Sequence, residues 1–110
     1  MLYTIRFVWY PIGVMKLAAA ANATTTAELT IAHILSLSRH LPVADRSVRA
    51  GKWERTALVG TEIAGKTLGV LGYGTIGRLV AARGLALQMN VAVFDPYVTG
   101  DVVRQNGCRP

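Results

Sequence analysis

The sequence predicts an α/β fold, an incomplete doubly wound parallel sheet, on three observations. Two short apolar runs, Thr67–Leu71 and Val91–Phe94, read as buried strands. Between them the glycine-rich turn Gly72-Tyr73-Gly74-Thr75-Ile76-Gly77 opens a segment of helical periodicity. An acidic residue, Asp95, closes the second run. Strand, helix and strand in that order make a crossover unit whose strands lie parallel.

The chain has 110 residues, room for one domain and not for two of ordinary size. Its residues are 52% hydrophobic and 16% charged, against about 25% charged in an average soluble domain. That balance excludes a disordered chain. Cys108 is the one cysteine, which excludes a disulfide scaffold, and with two histidines it makes no zinc-ligand cluster. So little charge implies that part of the surface belongs against something else. The net charge of +6 raises the question of nucleic acid. Asp45 and Glu54, however, interleave with Arg39, Arg46, Arg49, Lys52 and Arg55, and Asp45 and Arg49 stand at helical i,i+4 spacing. No zinc-finger, RNP-type or basic-zipper pattern is present. The expectation is a solvated helix face, with no nucleic acid and no membrane among the partners.

The elements follow in chain order. Residues 1–21 carry only Arg6 and Lys16 and end in Ala18–Ala21, which resembles a leader peptide with small residues at its cleavage site. Lys16, Pro11 and Gly13 interrupt the run and leave it short of the ~20 residues of a membrane span. Tyr3–Tyr10, rich in aromatic and β-branched residues, reads better as a strand. Residues 1–21 are therefore an unassigned segment, residues 22–110 a partial dinucleotide-binding domain, and the expected location is cytoplasmic. Thr25 and Glu28 have the spacing of a capping box and predict a helix over Thr25–His40. It is apolar on more than one face, as in a buried or interfacial helix. His33 and His40 read as packing or helix-end residues, and Arg39 and His40 suit a helix C-terminus. Pro42 fits the first turn of a second helix, which Gly51 would stop.

Two glycine spacings then compete. Gly60 to Thr67 satisfies the P-loop pattern, which would mean a nucleotidase, and Gly72 to Gly77 satisfies the dinucleotide-binding pattern. Each needs a strand before it and a helix after it, because free N–H groups at a helix start hold the phosphate. A helix launched at Lys66 would meet Gly69, Gly72 and Gly74, each about 1 kcal/mol less favourable than alanine. As a strand the same residues are ordinary, and Gly65-Lys66 is the turn into it.

The second spacing has the right context. A strand precedes it, and Ile76, Leu79, Val80 and Leu87 form the apolar stripe of the helix that follows. Asp95 stands 18 residues beyond Gly77, at the end of the next strand. In a Rossmann-type unit Gly72 permits the tight turn, Gly74 lets backbone approach a pyrophosphate, and Gly77 lets helix and strand pack closely. Asp95 would accept hydrogen bonds from a ribose and repel a 2′-phosphate. At about 4 Å and an effective dielectric near 20 that repulsion is on the order of 4 kcal/mol. The expected cofactor is NAD rather than NADP.

The segments Asn22 to Leu29, Gly51-Lys-Trp-Glu-Arg55, Gly60 to Arg78 and Phe94-Asp-Pro-Tyr97 together resemble the D-2-hydroxyacid dehydrogenase family. The resemblance runs from Asn22 to about Gly107. It implies a doubly wound NAD-binding domain in which Gly72, Tyr73, Gly74, Thr75, Ile76, Gly77, Asp95 and Pro96 surround the cofactor, Thr75 and Ile76 at the pyrophosphate. It also implies hydride transfer between the C2 carbon of a 2-hydroxy acid and the nicotinamide, and a homodimer formed by the Thr25–His40 helix and the Gly-Lys-Trp region. The family's catalytic Arg, Glu and His lie downstream of the segment matching Asp95. No catalytic residue and no metal site is therefore expected here, and the chain alone should be inactive. Gln88 stands where the family has a glycine that ends a helix, and Asn90 is expected to take the left-handed conformation instead. An NAD-sensing or corepressor-type module on the same fold is the alternative reading, and a P-loop nucleotidase a more remote one.

Overall fold

The computed structural model describes residues 22–110; the leader-like and Tyr3–Tyr10 strand readings lie outside them. In order along the chain come α1 (Ala23–Ser38), α2 (Leu41–Arg49), β1 (Thr67–Leu71), α3 (Thr75–Ala86), β2 (Asn90–Phe94) and α4 (Gly100–Gln105). The strands pair in parallel with Thr67 opposite Asn90 and Leu71 opposite Phe94. β1 has the predicted bounds, and β2 starts one residue before them.

Side chains alternate across a sheet, so this register puts Leu68, Val70, Val91 and Val93 on one face. Against that face lies the core: Tyr73, Ala81, Val103 and Cys108 join Val70, Val91 and Val93, with Leu68, Leu85 and Val98 partly buried around them. The opposite face carries Leu71 and Phe94, which remain 71% and 66% exposed. Beyond β2 the chain begins a third parallel neighbour. Val93 N–H donates to Arg109 O at 2.7 Å, and Arg109 N–H donates to Val91 O at 2.8 Å. Gly84 lets α3 settle onto the sheet: a Cβ there would lie 2.7 Å from Leu68 Cδ2 and 3.3 Å from Val91 Cγ2.

α1 differs from the prediction at both ends. It starts at Ala23 with Asn22 at the N-cap, so Thr25 already lies inside the first turn and cannot cap it. Instead Thr26 Oγ1 donates to the Asn22 carbonyl at 2.9 Å. The helix stops at Ser38, because His40 adopts φ +54° and reverses the chain into α2. Only Ala23 and Ala27 are buried along it, and Leu29 and Leu37 face outward. In α2, Pro42 occupies the first turn as predicted. The Asp45–Arg49 pair forms at 2.9 Å on an exposed face, where such pairs contribute little.

The end of α3 corrects a second expectation. Gln88 itself takes the left-handed conformation, at φ +61°. Its N–H donates to Leu85 O at 2.9 Å, and Met89 N–H donates to Gly84 O at 3.0 Å, the two bonds of a Schellman turn. Asn90 has no freedom to serve instead. Its backbone N–H already donates to Lys66 O at 2.9 Å, and its Nδ2 donates to Gly65 O at 3.0 Å.

Candidate cofactor site

The site is built where β1 hands over to α3. Gly72 turns the chain at φ +94°, a conformation that favours glycine. Its N–H donates to Phe94 O at 2.8 Å, which carries the strand pairing one step further and seats the turn beside the end of β2. Gly74 caps α3, and Arg78 N–H donates to Gly74 O at 3.0 Å. The N–H groups of Thr75, Ile76 and Gly77 thus precede the helical ladder. The helix dipole adds partial positive charge there, which suits an anion.

The glycines divide by what surrounds them. A Cβ on Gly77 would run into the Gly72 carbonyl oxygen, with Val70 Cγ1 3.4 Å away, so this residue sets the closeness of helix and strand. A Cβ on Gly72 or Gly74 would meet nothing within 4 Å. That side of the turn is open to an incoming group.

Asp95 follows β2 and faces the turn. Its Oδ2 accepts the Tyr73 N–H at 2.6 Å, and its Oδ1 accepts the Tyr97 N–H at 2.8 Å. These bonds, Tyr73's first, hold the carboxyl below its ordinary 3.8; partial desolvation opposes them, and the Val98 N–H and the Arg78 charge add to them. The group is an anion at neutral pH, and each oxygen keeps accepting capacity for a further donor. A turn open over Gly72 and Gly74, free N–H groups at a helix start and a fixed carboxylate beside them fit a dinucleotide.

Of the residues expected around a cofactor, the turn and Asp95 come together. Thr75 and Pro96 are exposed and Ile76 is half-buried. The Tyr73 side chain points elsewhere. Tyr73 is 2% exposed and lies within the core, and its hydroxyl lies 3.9 Å from Cys108 Sγ. Burial, then the contact with Cys108, pushes the phenol above its ordinary 10.0. Only the Tyr73 backbone belongs to the turn. Sequence reasoning missed Arg78, whose Nε–H donates to Tyr73 O at 3.1 Å and whose guanidinium lies 5.0 Å from the centre of the Tyr73 ring. A signal was available: a cation in the first turn of a helix opposes the dipole.

The rival spacing lacks its scaffold. Gly65 turns at φ +74°, its N–H donates to Gln88 O at 2.8 Å, and Lys66 leads into β1 rather than into a helix. His33 is exposed on α1, and His40 joins α1 to α2. Among the described residues no group of three or more His, Cys, Asp or Glu could hold a metal, and no helix is long and apolar enough to cross a membrane.

Residues 31–110 match the family described as D-isomer specific 2-hydroxyacid dehydrogenase, NAD binding domain. Over 92 residues the chain is 47% identical to D-3-phosphoglycerate dehydrogenase of Archaeoglobus fulgidus, covering 84% of this chain and 18% of that protein. Over 90 residues it is 48% identical to D-3-phosphoglycerate dehydrogenase of Bacillus subtilis, covering 82% and 17%. The chain thus spans under a fifth of the length of these relatives. Among solved structures, apo D-lactate dehydrogenase from Escherichia coli superposes with a TM-score of 0.72 at 27% identity, over 80% of this chain and 28% of that one. NAD-dependent formate dehydrogenase from Staphylococcus aureus, solved with NAD, gives 0.65 at 29% identity, over 70% and 24%.

Proposed function

The chain belongs to the NAD-binding domains of the D-isomer specific 2-hydroxyacid dehydrogenases, and from that premise we propose that it supplies the cofactor half of hydride transfer from a small 2-hydroxy acid. The curated relatives are named for D-3-phosphoglycerate. We assign that acid, the starting point of serine biosynthesis, as the substrate of the whole protein. The observation that carries the cofactor reading is the Asp95 carboxylate, held against the glycine turn by the Tyr73 N–H at 2.6 Å.

In this reading the N–H groups of Thr75, Ile76 and Gly77 and the dipole of α3 receive the pyrophosphate, and Gly72 and Gly74 leave room for it. Asp95 accepts the ribose hydroxyls and repels a 2′-phosphate, with Pro96 beside it. NAD, when bound, supplies the hydride acceptor, and the protein supplies its placement. A second copy of the chain is the partner we assign. Trp53, Val48, Val59 and Leu37 support it, all apolar and exposed on α1, α2 and the segment after α2. A reducing, cytoplasmic location suits the unpaired Cys108.

The test is a fluorescence titration of the chain with NADH and with NADPH. NADH should bind at least about tenfold more tightly, as roughly 1.4 kcal/mol of discrimination requires. Asp95→Ala should bring the two within about threefold. Equal affinity of the unmutated chain for both cofactors overturns the assignment.

A further inference from the structure

Arg78 is the fourth residue of α3, where the helix dipole opposes a cation. Two contacts hold it there, both with Tyr73, and its charge acts on the nearby Asp95 carboxylate as well. Its Nε–H donates to the Tyr73 carbonyl at 3.1 Å, and its guanidinium lies 5.0 Å from the centre of the Tyr73 ring. That ring is itself fixed, buried in the core beside Cys108. At the other end of the residue, the Tyr73 N–H is held by Asp95 at 2.6 Å.

Tyr73 stands between Gly72 and Gly74. Glycine tolerates backbone conformations closed to other residues, so a peptide unit next to one can turn over at little steric cost. If the Tyr73–Gly74 peptide turned over, its carbonyl oxygen would leave the guanidinium and put the negative end of its dipole into the turn. An anion there would meet repulsion where it needs a donor. The bond from Arg78 to that carbonyl disfavours the flipped state.

Resting on the cofactor reading above, we propose that Arg78 is a positioning residue for the pyrophosphate subsite, keeping the Tyr73 carbonyl on its guanidinium so that the glycine turn offers donors to a nucleoside diphosphate. It acts through Tyr73. Geometry, rather than charge alone, is its contribution, because lysine would supply the charge without the planar Nε–H donor.

The experiment compares the chain with Arg78→Lys and Arg78→Met in binding NADH, ADP and adenosine, each variant checked by its circular-dichroism melt. Both variants should lose about tenfold in affinity for NADH and for ADP, while adenosine, which lacks the pyrophosphate, stays within twofold. Arg78→Lys binding NADH within twofold of the parent overturns the proposal, since charge then suffices. Equal losses for ADP and adenosine also overturn it, since the effect is then a general loss of structure. Should Arg78→Met fail to fold, Arg78→Lys decides alone. Absence of NADH binding by the unmutated chain overturns the cofactor reading and this inference with it, whereas binding that the variants retain overturns this inference only.

Discussion

At Gly77 one methyl group would decide whether α3 can dock, because the added carbon meets the Gly72 carbonyl, which is backbone and cannot swing aside. Gly77→Ala should cost about 3 kcal/mol in a urea melt and abolish measurable NADH binding. Gly84→Ala meets only side-chain tips, Leu68 Cδ2 and Val91 Cγ2, and should cost about 1 kcal/mol with binding retained. Titration gives a second pair of expectations. Asp95 is lowered by its backbone bonds, so its stabilising contribution is complete above the ordinary carboxylate range and is lost as pH falls through the depressed value. Tyr73 is raised by burial, so its contribution holds below pH 10.0 and is lost as pH rises beyond it, when the unfolded chain ionises first. Melting temperature should therefore fall at both extremes, and Asp95→Asn should flatten the acid limb while leaving the alkaline one unchanged. At this scale the sequence disclosed what backbone geometry demands, the three glycines and the acid 18 residues on. It did not disclose where the Tyr73 ring goes, because the variable positions of a spacing motif say nothing about side-chain direction. The Cys108 partner comes from 35 residues away, and no local pattern joins the two.

Helix ends are where the reading by pattern failed most, and the reason is shared. Each of the four described helices is followed closely by a residue at positive φ: His40, Gly51, Gln88 and Gly107, between +54° and +76°. The two glycines announce their stops in the sequence, and the second helix does end at Arg49, two residues before Gly51. His40 and Gln88 occupy the same conformation without that marker, and a non-glycine residue there costs on the order of 1 kcal/mol. Gln88→Gly should therefore stabilise the chain by about 1 kcal/mol, seen as a raised urea midpoint. Asn90→Gly should do the reverse, since it removes the Nδ2 bond to Gly65 O. The start of α1 misled for a related reason. Thr25 and Glu28 satisfy a capping spacing, but Asn22 lies upstream and the helix begins from it. The strands were legible because short β-branched runs between glycine and asparagine leave little alternative.

At the scale of the whole molecule, apolar surface outruns its cover among the described residues. One face of the sheet shows Leu71 and Phe94, and Trp53 is 77% exposed beyond α2. If about 400 Å² of such surface stays in water, roughly 10 kcal/mol of burial is forgone, as much as an ordinary domain's whole stability of ~5–15 kcal/mol. The isolated chain should therefore associate, and its melts should be those of the associated form, with a midpoint that rises with protein concentration, which light scattering and thermal scans at two concentrations will show. A monodisperse 11.8 kDa species with a cooperative melt would contradict this. It should also produce no NADH above a blank from 3-phosphoglycerate and NAD. The sequence conveyed this imbalance only in outline, through its low charge, since which apolar residues stay uncovered depends on pairing register. The Arg109 bridge has a consequence of another kind, for the order of assembly. Thr67 meets Asn90 and Ala92 meets Arg109, so each new neighbour in this sheet arrives after one helix and one short closure. These pairings span 23 and 17 residues, so loop closure precedes the contacts it gains and each parallel pairing forms slowly, but two successive closures replace one long one. The sheet therefore grows one crossover at a time, in the direction of synthesis, so that the Val93 amide, which donates to Arg109 O, closes after the β1–β2 ladder and exchanges before it.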